Sequence, residues 1–221
     1  MRLTLIRHGQ TPANVQGILS TAAPGPGLTE LGHTQAAMIP RALVGMPVDA
    51  VYASILVRTQ LTAAPLAADR GLDVGVLPGI HEIEAGDLED LRDMRSVRTY
   101  LETAFAWGSG DLSPVMPGGT DGHAFFRRFD DDIARVAAES EHAVVVSHGA
   151  AIRVWVAGRS VNVPPSYAGE HDIDNTGVIE LEGDPDTGWT LLSWQGTPLG
   201  GEQLADPAAG DPTGESLEEV R

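Results

Sequence analysis

A chain of 221 residues with 42% hydrophobic content is long enough for one α/β domain with a sizeable core. It contains no cysteine, which excludes disulfides, thiolate catalysis and cysteine-ligated zinc and makes the cytoplasm the expected compartment. Its formal net charge is −17, all 14 cationic residues being arginine, and such acidity argues against nucleic-acid or anionic-membrane partners, which need a basic face.

Residues 3–6 (LTLI) read as a buried strand that runs directly into Arg7-His8-Gly9. The segment is too short for a secretory leader, and no apolar run approaches the roughly 20 residues of a membrane span. After a stretch of small residues and prolines at 15–27, residues 29–42 open with the capping-type signature T-E-L-G and read as a helix. Residues 48–53 form the second expected strand and lead into a helix at 58–70, which Pro65 is expected to bend or shorten. The third strand, 74–77, precedes LPGIHEIEAGDLED, where Glu82 and Glu84 are rival carboxylates.

Residues 88–122 look irregular and read as an insertion able to lie over a site. Arg92, Arg95 and Arg98 within it suit either a second anion contact or an ordinary solvated helix face. A helix over 123–138 carries Phe125, Phe126, Phe129, Ile133 and Val136 at core spacing. The fourth strand, 143–147, runs into His148-Gly149, and 177–181 with 189–194 reads as a hairpin. Residues 196–221 are rich in Gly, Pro, Asp and Glu, with little to bury, so a disordered acidic tail is expected whose deletion leaves folding unchanged.

Strands alternating with helices indicate an α/β domain with a mostly parallel, doubly wound sheet, whose ligands sit beyond the carboxyl ends of the strands. Two of those ends carry a strand-His-Gly sequence. One alone fits a histidine satisfied within a core; two at equivalent ends point to a site. HEIE lacks H-E-x-x-H spacing, so no metal centre is expected.

Five ordered stretches resemble the histidine phosphatase superfamily, which includes the phosphoglycerate mutases. They are Arg7-His8-Gly9-Gln10-Thr11 with Asn14, Leu28–Ala36, Ser54–Ala63 with Arg58, Ile80–Glu89 with Glu82, and Val146–Arg153 with His148. The resemblance covers roughly residues 1–195 and implies a three-layer αβα sandwich of the phosphoglycerate mutase type. It implies His8 as the nucleophile that becomes phosphohistidine. Arg7, Arg58 and His148 would surround the phosphoryl oxygens, and Glu82 would be proton donor and then base. Gly9, Thr11, Asn14 and Gly149 would line the phosphate site. No metal and no cofactor are implied; the partner would be a small phosphate ester, and a homodimer is the assembly the family suggests.

The small-residue stretch at 15–27 lacks the positive charge many members carry there, so a multiply phosphorylated substrate is not expected. A phosphomonoesterase of the histidine acid phosphatase type is the leading reading. A mutase returning the phosphoryl group to its substrate, and an inactive phospho-ligand binder, are the alternatives.

Overall fold

Period-two alternation in the central strands divides the apolar side chains between two cores. Leu3, Leu5, Ala143 and Val145 face one side of the sheet, and Ile6, Val144 and Val146 face the other. The computed structural model describes residues 1–215. Its strands are β1 (Arg2–Arg7), β2 (Ala50–Ser54), β3 (Val74–Leu77), β4 (His142–Ser147), β5 (Val178–Asp184) and β6 (Gly188–Gln195). Its α-helices are α1 (Pro12–Gln16), α2 (Glu30–Ala42), α3 (Val57–Arg70), α4 (Met94–Gly108), α5 (Gly122–Glu139), α6 (Gly149–Arg159) and α7 (Tyr167–Glu170).

The six strands lie in the order β3-β2-β4-β1-β5-β6. Four are parallel, and β5 and β6 add an antiparallel edge. Ile39 of α2 and Ala63 and Leu66 of α3 pack on one face; Val97, Phe125 and Ile152, from α4, α5 and α6, pack on the other. The result is the expected three-layer sandwich with a doubly wound, mostly parallel sheet. No helix among the described residues is long and apolar enough to cross a membrane.

Local chemistry sets the helix starts. Thr29 caps α2 through the Gly32 N–H at 3.0 Å, Asp93 caps α4 through Ser96, and Asp121 caps α5 through Ala124. Pro65 does not shorten α3, which runs on to Arg70 and stops at Gly71 with φ of 66°.

Two expectations change. Residues 88–122 are not an irregular flap: α4 occupies 94–108 and buries Val97, Tyr100, Leu101, Ala104 and Phe105 in the core. Arg92, Arg95 and Arg98 are exposed, and Arg98 pairs with Glu102 one turn on, so they form the solvated face. Residues 196–215 are packed rather than free. Leu199 and Leu204 are 5% and 9% exposed, and the segment runs on to the end of the sheet where the two histidines lie. Residues 216–221 of the expected tail lie outside the described residues.

Candidate active site

β1 and β4 are parallel neighbours with Arg7 opposite Ser147, so each strand delivers its histidine to the same edge one residue later. The rings of His8 and His148 stand edge-on with centroids 5.2 Å apart. His8 Nδ1 donates to its neighbour's carbonyl, Gly9 O, at 2.8 Å. A carbonyl only accepts, so Nδ1 holds the ring proton and Nε2 keeps the lone pair. Burial, then the charges of Arg58 and Arg7, hold this imidazole well below its usual pKa range. His8 is therefore held neutral, with the free lone pair on Nε2.

His148 is buried and held low for the same reason, with Arg58 and His8 as further causes. Its Nε2 is engaged by Ser54 Oγ at 2.7 Å, at the end of β2, which leaves Nδ1 buried without a partner. Arg58, at the start of α3, donates Nη2 to Ser20 O at 3.0 Å, while Nε and Nη1 are buried and unpartnered. Burial lowers its pKa to about 10, so it stays cationic at neutral pH. Arg7 donates Nη1 to Ile173 O at 2.7 Å and Nη2 to Asp211 Oδ1 at 2.6 Å, and its Nε is unpartnered. Three unpaired guanidinium donors on two residues, together with the unpartnered His148 Nδ1, thus accompany His8. Leaving a buried donor unpaired costs about 1–3 kcal/mol, so such a cluster is built for an anion with several acceptors.

Glu82 is 1% exposed and sits on the loop after β3. Its carboxylate accepts from the N–H groups of Ile83 at 2.9 Å and Ala151 at 2.8 Å, the latter in the first turn of α6 that His148 precedes. Burial pushes its pKa up against the pull of those bonds. Glu84 faces outward, its side chain 44% exposed, paired to His81 at 3.0 Å and held below the ordinary carboxylate range by that hydrogen bond. Only Glu82 of the two belongs to the buried cluster.

Asn14 is at the cluster, its Nδ2 donating to Asp211 Oδ1 at 2.9 Å. Thr11, expected to touch phosphate, is instead committed to capping α1: its Oγ1 donates to Asn14 Oδ1 at 2.8 Å and accepts from Asn14 N–H. Gly9 also has another reason than expected. A Cβ there would meet Gly32 O at 2.7 Å, so the missing side chain admits the start of α2. Gly149 faces the cluster, between Arg7 Nε and the Thr213 carbonyl.

The sequence profile of the histidine phosphatase superfamily (branch 1) matches residues 3–197. The chain belongs to that superfamily. It is 35% identical over 167 residues to the adenosylcobalamin/alpha-ribazole phosphatase of Escherichia coli, covering 74% of this chain and 81% of that one. It is 40% identical over 220 residues to the PE-PGRS family protein PE_PGRS11 of Mycobacterium tuberculosis, covering 91% of this chain but only 38% of that protein's length. Among solved structures, the alpha-ribazole phosphatase from Shigella flexneri superposes with a TM-score of 0.70 at 30% identity, covering 88% of this chain and 96% of that one. A mycobacterial glucosyl-3-phosphoglycerate phosphatase does so with 0.73 at 25%, covering 89% and 99%. Several of its relatives are named as phosphatases, and one as a probable phosphoglycerate mutase.

This histidine phosphatase superfamily member also holds residues around its site that sequence reading missed. Arg128 on α5 donates to the carbonyls of Gly79, His81 and Glu82, with 2.8 Å to each of the last two, and so clamps the loop that carries Glu82. Asn175 donates to His8 O at 3.1 Å. Ser54 stood in one of the matched stretches but without a role. Asp211 lies in the C-terminal segment whose composition predicts disorder.

Proposed function

We propose that the protein is a phosphomonoesterase that hydrolyses a small phosphate ester through a phosphohistidine on His8. His8 Nε2 attacks phosphorus, the P–O bond to the alcohol breaks, and the Glu82 carboxyl gives its proton to the leaving oxygen. Arg7, Arg58 and His148 Nδ1 donate to the non-bridging oxygens as their charge shifts in the transition state. Glu82, now a carboxylate, takes a proton from water as it attacks the phosphohistidine, releasing inorganic phosphate and restoring neutral His8. Guanidinium groups supply the positive charge a metal supplies elsewhere, so the reading includes metal-independent turnover that survives a chelator.

The observation that carries this reading is the set of buried, unpartnered donors around an imidazole whose only proton lies on Nδ1. The names of the relatives point to alpha-ribazole, phosphoserine and glucosyl-3-phosphoglycerate phosphatases as a first substrate panel. A cavity of about 350 Å³ beside the cluster is lined by Asp172, Asp174 and Asn175 from the body.

The decisive experiment is rapid acid or alkali quench of the protein with ³²P-labelled ester. Acid-labile, alkali-stable label on the peptide containing His8, absent in His8→Ala along with phosphate release, is the expected result. Phosphate release that persists in His8→Ala refutes the nucleophile.

A further inference from the structure

The Asp211 carboxylate lies where the proposed mechanism puts phosphoryl oxygens. A single oxygen, Oδ1, accepts from Arg7 Nη2 at 2.6 Å and from Asn14 Nδ2 at 2.9 Å. Thr213 Oγ1 accepts from the same Arg7 nitrogen at 3.1 Å. Gly214 lies so close to Arg7 Nη1 that a Cβ there would collide with it, so only glycine lets the chain press on the guanidinium. With this segment in place the site is closed: His8 is 2% exposed, and Arg7 and His148 are fully buried.

We propose that residues 206–215 are an autoinhibitory strap, with the Asp211 carboxylate a competing ligand for the phosphate donors Arg7 and Asn14. The proposal rests on the phosphate-site reading given above. The strap is held along its length by the chain's own groups. Gln10 Nε2 donates to Asp206 Oδ2 at 2.8 Å, Ile173 N–H to Gly214 O at 3.1 Å, and Arg153 Nη1 to Glu215 O at 2.7 Å.

The fit of the carboxylate is incomplete, which makes it displaceable. A planar monoanion in this position leaves Arg7 Nε, two nitrogens of Arg58 and His148 Nδ1 without partners. A tetrahedral dianion offers more acceptors and twice the charge to the same set. Tethering compensates for that disadvantage, because a short flexible link gives an attached ligand an effective concentration on the order of millimolar. The strap therefore raises the ester concentration needed to fill the site without abolishing binding.

Inorganic phosphate binding measured by calorimetry tests the strap without requiring turnover. The proteins compared are the wild type, Asp211→Asn, and a chain ending at Ala205, which keeps Leu199 and Leu204. Both variants are expected to bind phosphate at least about tenfold more tightly, with a matching fall in KM for p-nitrophenyl phosphate if the ester is a substrate. In the wild type, saturating phosphate is expected to speed hydrogen exchange at the Ile173 and Gly214 amides, whose bonds depend on the strap. Unchanged or weaker phosphate affinity in either folded variant overturns the strap, as does unchanged exchange at those amides. Tighter phosphate binding with no ester hydrolysed by any protein leaves the strap standing and refutes the phosphatase reading instead.

Discussion

Two buried titratable groups of this site, His8 and Glu82, have oppositely shifted pKa values. His8 is displaced downward, by burial first and by Arg58 and Arg7 after it, so it stays unprotonated well to the acid side of neutrality. Glu82 is displaced upward by burial, so it keeps its proton above the ordinary carboxylate range. The acid limb of kcat/KM is therefore expected below about pH 6.5 and the alkaline limb above about pH 4.5, the two groups' unperturbed values. Glu82→Gln should remove the alkaline limb and lower kcat/KM by about 10²–10⁴ for an alkyl phosphate, whose leaving oxygen needs the proton. For p-nitrophenyl phosphate, whose leaving group needs none, kcat/KM should stay near wild type. There kcat should fall instead, because the lost base slows hydrolysis of phosphohistidine and the intermediate accumulates. Equal losses for both esters would show that Glu82 is not the acid. Stability follows the same shifts. The unfolded chain binds more protons at His8 and His148 below about pH 6.5, so their contribution to thermal stability should fall as pH drops through that window. Glu82, with its raised pKa, contributes in the opposite sense, and His8→Asn and His148→Asn should each flatten the fall.

At the scale of elements, the sheet fixes the two histidines while loops and helix ends fix everything that tunes them. The β1–β4 register makes the pairing of His8 with His148 unavoidable once both strands form. Glu82 depends on a longer chain of contacts, its loop being held by Arg128 from α5. Arg128→Ala leaves buried carbonyls unpaired and should cost about 1–3 kcal/mol of stability. It should also lower kcat and move the alkaline limb further up, because a cation electrostatically coupled to Glu82 is lost. Arg128→Lys should restore the limb toward its wild-type position, since the charge returns without the fork. A limb that stays put in both variants would leave Arg128 a purely structural residue. This division explains what was legible in the sequence. His8, His148, Arg58 and Glu82 each sit at a fixed offset from a strand, and local spacing exposes them. Val97, Tyr100, Leu101 and Ala104 of the helix over 94–108 do recur at helical spacing, but the glycines and prolines at 108–119 mask that pattern within the longer stretch. The Arg128 clamp spans 46–49 residues and Asp211 meets Arg7 across 204, so no local pattern announces either.

At the scale of the molecule, the acidic C-terminal segment shows how composition misleads when burial is sparse but well placed. Residues 196–215 contain few apolar side chains, yet Leu199 joins the core cluster of Ile6, Ile39 and Val178, and Leu204 is 9% exposed. Their backbones are tied in as well: Leu199 N–H donates to Thr176 O at 3.1 Å, and Gln35 Nε2 donates to Leu204 O at 2.8 Å. Fully burying a leucine contributes about 1.5–3 kcal/mol. A chain ending at Gln195 therefore loses several kcal/mol, whereas one ending at Ala205 keeps both leucines and gives up mainly the polar strap. In a domain of this size 1 kcal/mol shifts the midpoint by about 2–4 °C. Thermal melts should thus show a fall of roughly 6–24 °C for the shorter chain and a much smaller one for the longer. Equal midpoints for the full chain and the chain ending at Gln195 would mean that neither leucine is held in solution. Placing the boundary between core and strap at Ala205 then has a functional meaning, because the part that stabilises the fold and the part that closes the site can be removed separately.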